Sequence, residues 1–192
     1  MRSSHLSIVG IALLLSACSP TAGTSISQEN QNPLTASRYG DELADSMANI
    51  VIQDDPIAKD PAMRSVIDAQ ITLGKKIADN ARTKQEQGMK GSLVQVKNEV
   101  SGYILYVDDT LFLSSDFVAV PSADLRVMLT TVVDPRDVVF PDKTAMDLGT
   151  IQSFYGAQQY AVPHQDKPEL YRTLVLFDRK LKRIEGFAQL SK

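Results

Sequence analysis

The order of apolar and polar residues divides the chain into four stretches of different character. Residues 8–15 form a short apolar run, and residues 19–37 are polar with few side chains to bury. From residue 39 apolar residues recur at helical spacing, and from Gly91 onward they alternate with a period of two. This pattern predicts a short helical segment followed by a domain built from β-strands.

Two helices are predicted. The first covers residues 39–54 and ends before Pro56, because the residue preceding a proline avoids helical geometry. The second covers about 61–87, with Asp60 as its N-cap and Gly88 as its stop. One apolar stripe follows the second helix: Met63, Val66, Ile67, Ile71, Gly74, Ile77, Ala78 and Ala81. The stripe suits packing on this chain's own sheet or sister helix, or on a partner helix.

Short strands separated by turn residues are predicted throughout the rest of the chain. They cover residues 92–96, 100–107, 110–113, 117–120, 125–131, 150–154, 159–162, 170–177 and 182–190. Many short strands without intervening helices are typical of an antiparallel β-sandwich or barrel. Residues 132–146 contain two prolines and are predicted to form a long loop. We expect residues 88–192 to fold as an independent unit.

The N-terminus carries the most specific signal in the chain. Arg2 precedes the apolar run, which ends in the sequence Leu15-Ser16-Ala17-Cys18. The run is far shorter than the roughly 20 residues of a spanning helix, and the segment resembles a bacterial lipoprotein signal peptide with its lipobox. An ordinary signal peptide with a coincidental cysteine is the alternative interpretation. The resemblance implies cleavage before Cys18 and acylation of its thiol with fatty acids such as palmitate.

The predicted organisation is therefore a signal peptide (1–17), a flexible tether (18–38), a helical segment (39–87) and a β domain (88–192). The formal charge is −3, and cleavage would remove Arg2 and leave about −4. A mildly acidic chain is not expected to bind nucleic acid, nor to adhere to anionic lipid without its acyl anchor. An aspartate directly after the acylated cysteine resembles a signal for retention in the inner membrane, and this chain has Ser19 there. We therefore expect the protein in the outer membrane of the cell envelope, facing the periplasm or the cell surface.

Few residues suggest catalysis or metal binding. His5 lies in the predicted signal peptide, so His164 is the one histidine left, and we expect a surface loop residue rather than a catalytic group or metal ligand. Asp108 and Asp109 follow a strand and could hold calcium, but two aspartates at a hairpin turn are commonplace. Three further carboxylates share the long loop and offer an equally weak site: Asp134, Asp137 and Asp142. No metal, catalytic residue or cofactor is predicted.

Aromatic residues give no clear ligand platform either. The chain has no tryptophan, which removes the usual best surface for stacking a sugar. Five tyrosines remain in the predicted β domain, and most are expected in the core or at an interface: Tyr103, Tyr106, Tyr155, Tyr160 and Tyr171.

A series of short motifs in the β half resembles one known family. They are residues 101–105 (SGYIL), 110–117 (TLFLSSDF), 121–129 (PSADLRVML), 156–163 (GAQQYAVP), 174–177 (LVLF) and 186–190 (GFAQL). In this order they resemble the DM13 domain, a small all-β module of bacterial envelope proteins and animal extracellular proteins. The resemblance covers roughly residues 88–192 and implies a β-sandwich.

The resemblance also bears on function. DM13 domains often have a cysteine near the end of the penultimate strand, which motivated a proposed electron-transfer role, and Asp178 stands there in this chain. A carboxylate cannot cycle between thiol and oxidised forms. We therefore expect a membrane-anchored, non-catalytic module that binds an envelope protein or a small ligand. A redox domain with a bound cofactor is the alternative, and a hydrolase with an unrecognised site is a third.

Overall fold

A computed structural model of the chain describes residues 31–192. Within this range helix α1 (Pro33–Ile52) and helix α2 (Pro61–Gln87) precede a series of short strands. The strands are β1 (Met89–Ser92), β2 (Val94–Gln95), β3 (Val100–Ser101), β4 (Tyr103–Val107), β5 (Thr110–Leu113), β6 (Val118–Ala119), β7 (Leu125–Thr130), β8 (Met146–Thr150), β9 (Gln158–Ala161), β10 (Thr173–Asp178) and β11 (Arg183–Gln189). The predicted mainly β fold with a preceding helical segment is confirmed.

The helices agree with the prediction except at the start of α1. The side chain of Asn32 accepts a hydrogen bond from the Leu34 backbone N–H, and Pro33 occupies the first helical position. This cap begins the helix six residues before the predicted residue 39, so the end of the predicted tether 18–38 is wrong. Helix α2 has the predicted bounds, and Asp60 caps it by accepting from the Ala62 and Met63 N–H groups.

Helices α1 and α2 form an antiparallel hairpin with very close backbones. A Cβ atom on Gly40 would lie 2.5 Å from the Gly74 carbonyl oxygen, and one on Gly74 would lie 2.6 Å from the Gly40 oxygen. The apolar stripe of α2 therefore packs on its sister helix through Gly74, Ala78 and Ala81, which are buried. The first turns of α2 do not take part in this packing, because Met63 and Val66 of the stripe remain exposed.

Two antiparallel sheets form a sandwich. One sheet has the strand order β1-β4-β5-β9 and the other β2-β11-β10-β7-β8, while β3 and β6 pair separately. Large apolar side chains from both sheets meet in one core, among them Ile104, Leu111, Leu129, Leu174 and Leu176. Alternate residues of the strands face outward, as the period of two predicts.

Each outer face of the sandwich carries its own apolar cover. On the four-stranded sheet, Leu105, Val107 and Phe112 are buried together with Leu34 of α1. Asn32 also donates to the Leu113 carbonyl at 2.7 Å. On the five-stranded sheet, the predicted long loop packs Phe140 against Phe177 with 5.4 Å between ring centroids. The helical hairpin is thus a structural layer of the molecule.

Four predicted strands differ from the structure. Residues 100–107 divide at Gly102 between β3 and β4, which belong to different sheets. Residues 92–96 divide between β1 and β2, which belong to different sheets. The predicted strand 150–154 is replaced by the edge strand β8, which ends at Thr150. It ends there because the backbone N–H groups of Gln152 and Ser153 donate to the Gln158 side chain and not to a neighbouring strand. Residues 168–170 form a short 3-10 turn, so β10 begins at Thr173 instead of residue 170.

Candidate ligand cavity

A cavity of about 380 Å³ lies where the C-terminal end of α2 meets one end of the sandwich. Its walls come from Gln87 to Met89, from the end of β4 and the turn after it, and from the loop that follows β9. Gly88 allows this junction, because a Cβ atom there would lie 2.7 Å from the Tyr106 carbonyl oxygen. The cavity therefore lies at the junction of the hairpin and the sandwich, with most of its wall from the sandwich.

A two-residue turn places two carboxylates at the cavity. Val107 pairs with Thr110, so Asp108 and Asp109 alone connect β4 to β5. Their φ angles are 50° and 52°, the left-handed region that this tight turn requires and that aspartate tolerates better than most residues. Asp108 lies 3.4 Å from the Lys84 ammonium of α2. The hairpin turn is thus attached to the helix end.

The loop after β9 closes the cavity from the other side. The Val162 N–H donates to the Asp109 carbonyl at 2.8 Å, which holds the start of this loop beside the turn. His164 Nδ1 then lies 2.7 Å from Asp109 Oδ2. The His164 side chain is 78% exposed. The arrangement is a carboxylate–imidazole pair at the mouth of the cavity.

Tyr106 lies in the wall of the same cavity, and its phenol oxygen is buried. Its side chain belongs to the sandwich core and only 4% of the residue is exposed. The phenol oxygen has no hydrogen-bond partner within residues 31–192. Burial raises the pKa of the phenol, and the neighbouring Asp109 and Tyr171 raise it further. Tyr106 is therefore a neutral hydrogen-bond donor at physiological pH.

Asp178 is a structural residue elsewhere in the sandwich. It is fully buried at the end of β10, and its carboxylate accepts from the Ser122 hydroxyl and from the N–H groups of Ala123, Asp124 and Leu181. Burial tends to raise its pKa, but these hydrogen bonds outweigh burial and lower the pKa to about 2. The position expected to hold the family's cysteine instead ties two turns together.

The acidic residues of the long loop also have structural partners. Asp134 forms a salt bridge with Arg136, and hydrogen bonds from this guanidinium lower the Asp134 pKa to about 2. Asp142 accepts from the Thr130 and Thr144 hydroxyls. Across the part of the chain that the structure covers, no three potential metal ligands lie close enough to share an ion.

The other tyrosines divide between core and surface. Tyr160 is buried, and its oxygen accepts from the Gln152 N–H; burial raises its pKa to about 12. Tyr171 is partly buried against the core. Tyr103 and Tyr155 are 57% and 64% exposed. Among the five, only Tyr106 lines the cavity.

The cavity itself was not predicted from the sequence. Two of its polar components carried a signal, since Asp108-Asp109 is a turn motif and His164 follows a proline in a loop. Their partnership joins residues 55 positions apart and depends on how β5 and β9 pair. Cys18, the predicted lipidation site, lies outside the described residues.

Comparisons with known proteins bear on the β half of the chain. A profile of the family described as "Electron transfer DM13" matches residues 92–190, more than half of the chain. Neither a search of curated proteins nor a search of solved structures returned a significant match. Between residues 31 and 192 no helix has the length and apolar character needed to cross a membrane. The profile match covers the sandwich from β2 to β11 and leaves out most of β1, and the chain belongs to the DM13 family.

Proposed function

We propose that this protein is a lipid-anchored lipoprotein of the bacterial envelope whose DM13 domain is a non-catalytic binding module. The anchor is Cys18, supported by the apolar run and the lipobox-like sequence that precede it. The anchor places the module at the outer membrane, consistent with Ser19 after the cysteine. The tether between Cys18 and α1 separates the binding module from the membrane surface.

The observation that carries the binding role is the cavity at the junction of α2 and the sandwich. Asp109 and His164 form a hydrogen-bonded pair at its mouth, and Met89, Val107 and Pro168 contribute apolar wall. A concave, partly apolar site of a few hundred Å³ with a few convergent polar groups is the usual form of a small-molecule site.

The redox alternative draws only on the description of the family. Cys18 is the only cysteine in the sequence, and its thiol is committed to the acyl chain in this proposal. Asp178 holds the position near the family's cysteine and is engaged in structural hydrogen bonds. Thiol-based electron transfer is therefore disfavoured for this chain.

The anchor is tested with Cys18→Ser, compared with Ser25→Ala as a control that leaves the lipobox unchanged. The control should stay in the membrane fraction, while Cys18→Ser should be released or should keep its signal peptide. Normal processing of Cys18→Ser with undiminished membrane retention would contradict the anchor.

The binding role is tested by thermal melting of the full chain, purified in non-ionic detergent, with a panel of neutral, anionic and cationic small molecules. At least one class should raise the melting temperature of the wild type more than that of Asp109→Asn. Asparagine tolerates the positive φ of the turn and removes the negative charge at the cavity mouth. Equal responses of both proteins to every compound would overturn the binding role of this cavity.

A further inference from the structure

We infer that one face of the helical hairpin binds a second copy of this chain, with helix α2 of each copy antiparallel to the other. The inference goes beyond the proposed ligand binding and does not depend on it. The observations behind it are an exposed apolar face, the distribution of charge along α2 and a groove near the sandwich end of the hairpin.

The hairpin has a polar side and an apolar side. The salt bridge between Asp41 and Arg82 joins α1 to α2 and marks the polar side. Ile50 follows Asp41 by nine residues, and Leu73 precedes Arg82 by nine residues. Nine residues are two and a half turns of an α-helix. Ile50 and Leu73 therefore both lie on the side opposite to the salt bridge.

The apolar side of α2 forms a second seam next to the one that packs on α1. The residues of this second seam recur at spacings of four, three and four: Val66, Gln70, Leu73 and Ile77. Val66 and Leu73 are exposed. Between residues 31 and 192 only α1 packs along α2, and it covers the first seam, which contains Gly74 and Ala78. A helix with two adjacent apolar seams is typical of a bundle of more than two helices.

The charge along α2 favours a second copy in antiparallel orientation. Residues 53–70, at the tip of the hairpin, contain four acidic and two basic residues, whereas residues 71–87 contain four basic and two acidic residues. An antiparallel α2 places each acidic half beside a basic half, and a parallel α2 would place like charges together. A twofold axis relates the two copies in this arrangement, so the same face serves on both.

A groove near the sandwich end of the hairpin fits the same arrangement. It has a volume of about 350 Å³ and lies between Ala36 of α1 and Ile77 of α2. With the twofold axis near Leu73, position 63 of one copy lies beside position 83 of the other, next to this groove. Met63 is exposed, and its unbranched side chain can fill an irregular apolar gap. The tip of each hairpin therefore covers the groove of the other copy.

Sedimentation equilibrium of the full chain in density-matched non-ionic detergent tests the dimer. The wild type should be dimeric at micromolar concentration. Leu73→Glu should weaken dimerisation at least about tenfold, because it buries a carboxylate of each copy in an apolar contact. Thr72→Glu is the matched control, since it adds the same side chain at an exposed position turned about 100° away from Leu73. The control should dimerise as the wild type does, and thermal melts should show that both variants are folded.

Disulfide crosslinking tests the antiparallel orientation. Leu73→Cys places a thiol beside its own copy across the twofold axis, so mild oxidation should link the two chains. Met63→Cys is the control, because its two thiols would lie about 30 Å apart in the antiparallel pair and should not link. In a parallel pair both variants would link. Cys18 is the only cysteine of the sequence, so the wild type oxidised in the same way shows any link through Cys18.

The outcomes decide both the partner and its orientation. A dimer that Thr72→Glu keeps and Leu73→Glu loses, with links in Leu73→Cys alone, supports the inference. A monomeric wild type, or equal dimerisation of the two glutamate variants, would overturn it. Links in both cysteine variants, or in neither, would overturn the antiparallel arrangement. Binding of a monomeric wild type, but not of Leu73→Glu, to phosphatidylethanolamine vesicles would assign the face to a lipid surface and contradict the second copy.

Discussion

Asp178 has a structural role at the position where the resemblance to the DM13 family leads us to expect a cysteine. Its carboxylate accepts four hydrogen bonds from the turns on either side of it, residues 122–124 and Leu181. A thiol at this position could not accept these bonds with comparable strength, because the thiol sulfur is a weak acceptor. The aspartate at this position therefore provides a structural link that a cysteine would not.

We predict that Asp178→Cys and Asp178→Asn lower the free energy of unfolding by about 2–4 kcal/mol, because buried N–H donors lose a charged acceptor. Urea denaturation followed by circular dichroism measures this, with the exposed Asp166→Asn as the control. A loss below about 0.5 kcal/mol in both Asp178 variants would show that these hydrogen bonds contribute little.

The same residue should give the protein a specific acid sensitivity. The folded-state pKa of Asp178 is about 2, below the ordinary aspartate value of 3.8. A group with a depressed folded pKa stabilises the fold above its unfolded pKa and loses that contribution as the pH falls toward the folded value. Wild-type stability should therefore decline between about pH 4 and pH 2 more steeply than that of Asp178→Asn. Parallel curves for the two proteins would contradict the assignment.

At this scale the sequence identified the residue but not its environment. The resemblance to the family singled out position 178, and the spacing of turn residues marked 121–122 as a turn. Nothing in the spacing connects two turns about 55 positions apart, since their contact follows from the pairing of β7 with β10. The same reason kept Asp109 and His164 apart in the sequence analysis.

At the level of elements, the helical hairpin depends on small residues at its crossing. Gly74 and Gly40 each approach the other's carbonyl oxygen, and Ala44 and Ala78 flank the same contact. The sequence analysis placed Gly74 in the apolar stripe without assigning it a reason. The structure supplies one: only a glycine lets the two backbones come this close.

We predict that Gly74→Val lowers the free energy of unfolding by at least about 2 kcal/mol, because the added side chain must push the helices apart. Lys76→Ala, two residues away on the exposed face of the same helix, is the control and should change stability little. Chemical denaturation of both variants measures the difference. Similar stability for the two variants would mean that the helices separate at no cost.

The helices were easier to predict than the strands, for a physical reason. Caps such as Asp60 and stops such as Gly88 act within a few residues, so the sequence contains the whole signal. The missed cap at Asn32 was local too and could have been read from the Asn-Pro pair. The ends of β8 and β10 depend instead on partner strands and on side chains such as Gln158.

At the level of the whole molecule, the hairpin and the sandwich are coupled. The period-two pattern predicts that residues 88–192 fold alone, and this stays a prediction. The structure adds that Leu105, Val107 and Phe112 of the sheet are buried on the face that α1 covers. Residues 88–192 alone should therefore be less stable than residues 31–192 by several kcal/mol, since burial of each such side chain is worth about 1.5–3 kcal/mol.

Urea denaturation of the two lengths, each followed by circular dichroism, measures this coupling. We expect a lower midpoint for the shorter chain and a tendency to self-associate through its exposed sheet face. Equal midpoints and a monomeric shorter chain would show that the helices do not stabilise the sandwich.

The central claim is that this DM13 domain binds a ligand and does not transfer electrons. Spectroelectrochemical titration of the protein isolated from its native envelope tests the absence of electron transfer most directly, because a chain with Cys18 as its only cysteine would need a bound redox cofactor for that role. Our account predicts no visible chromophore at stoichiometric amount and no reversible change of absorbance with applied potential. A reversible, stoichiometric redox transition would contradict the account and establish the electron-transfer role.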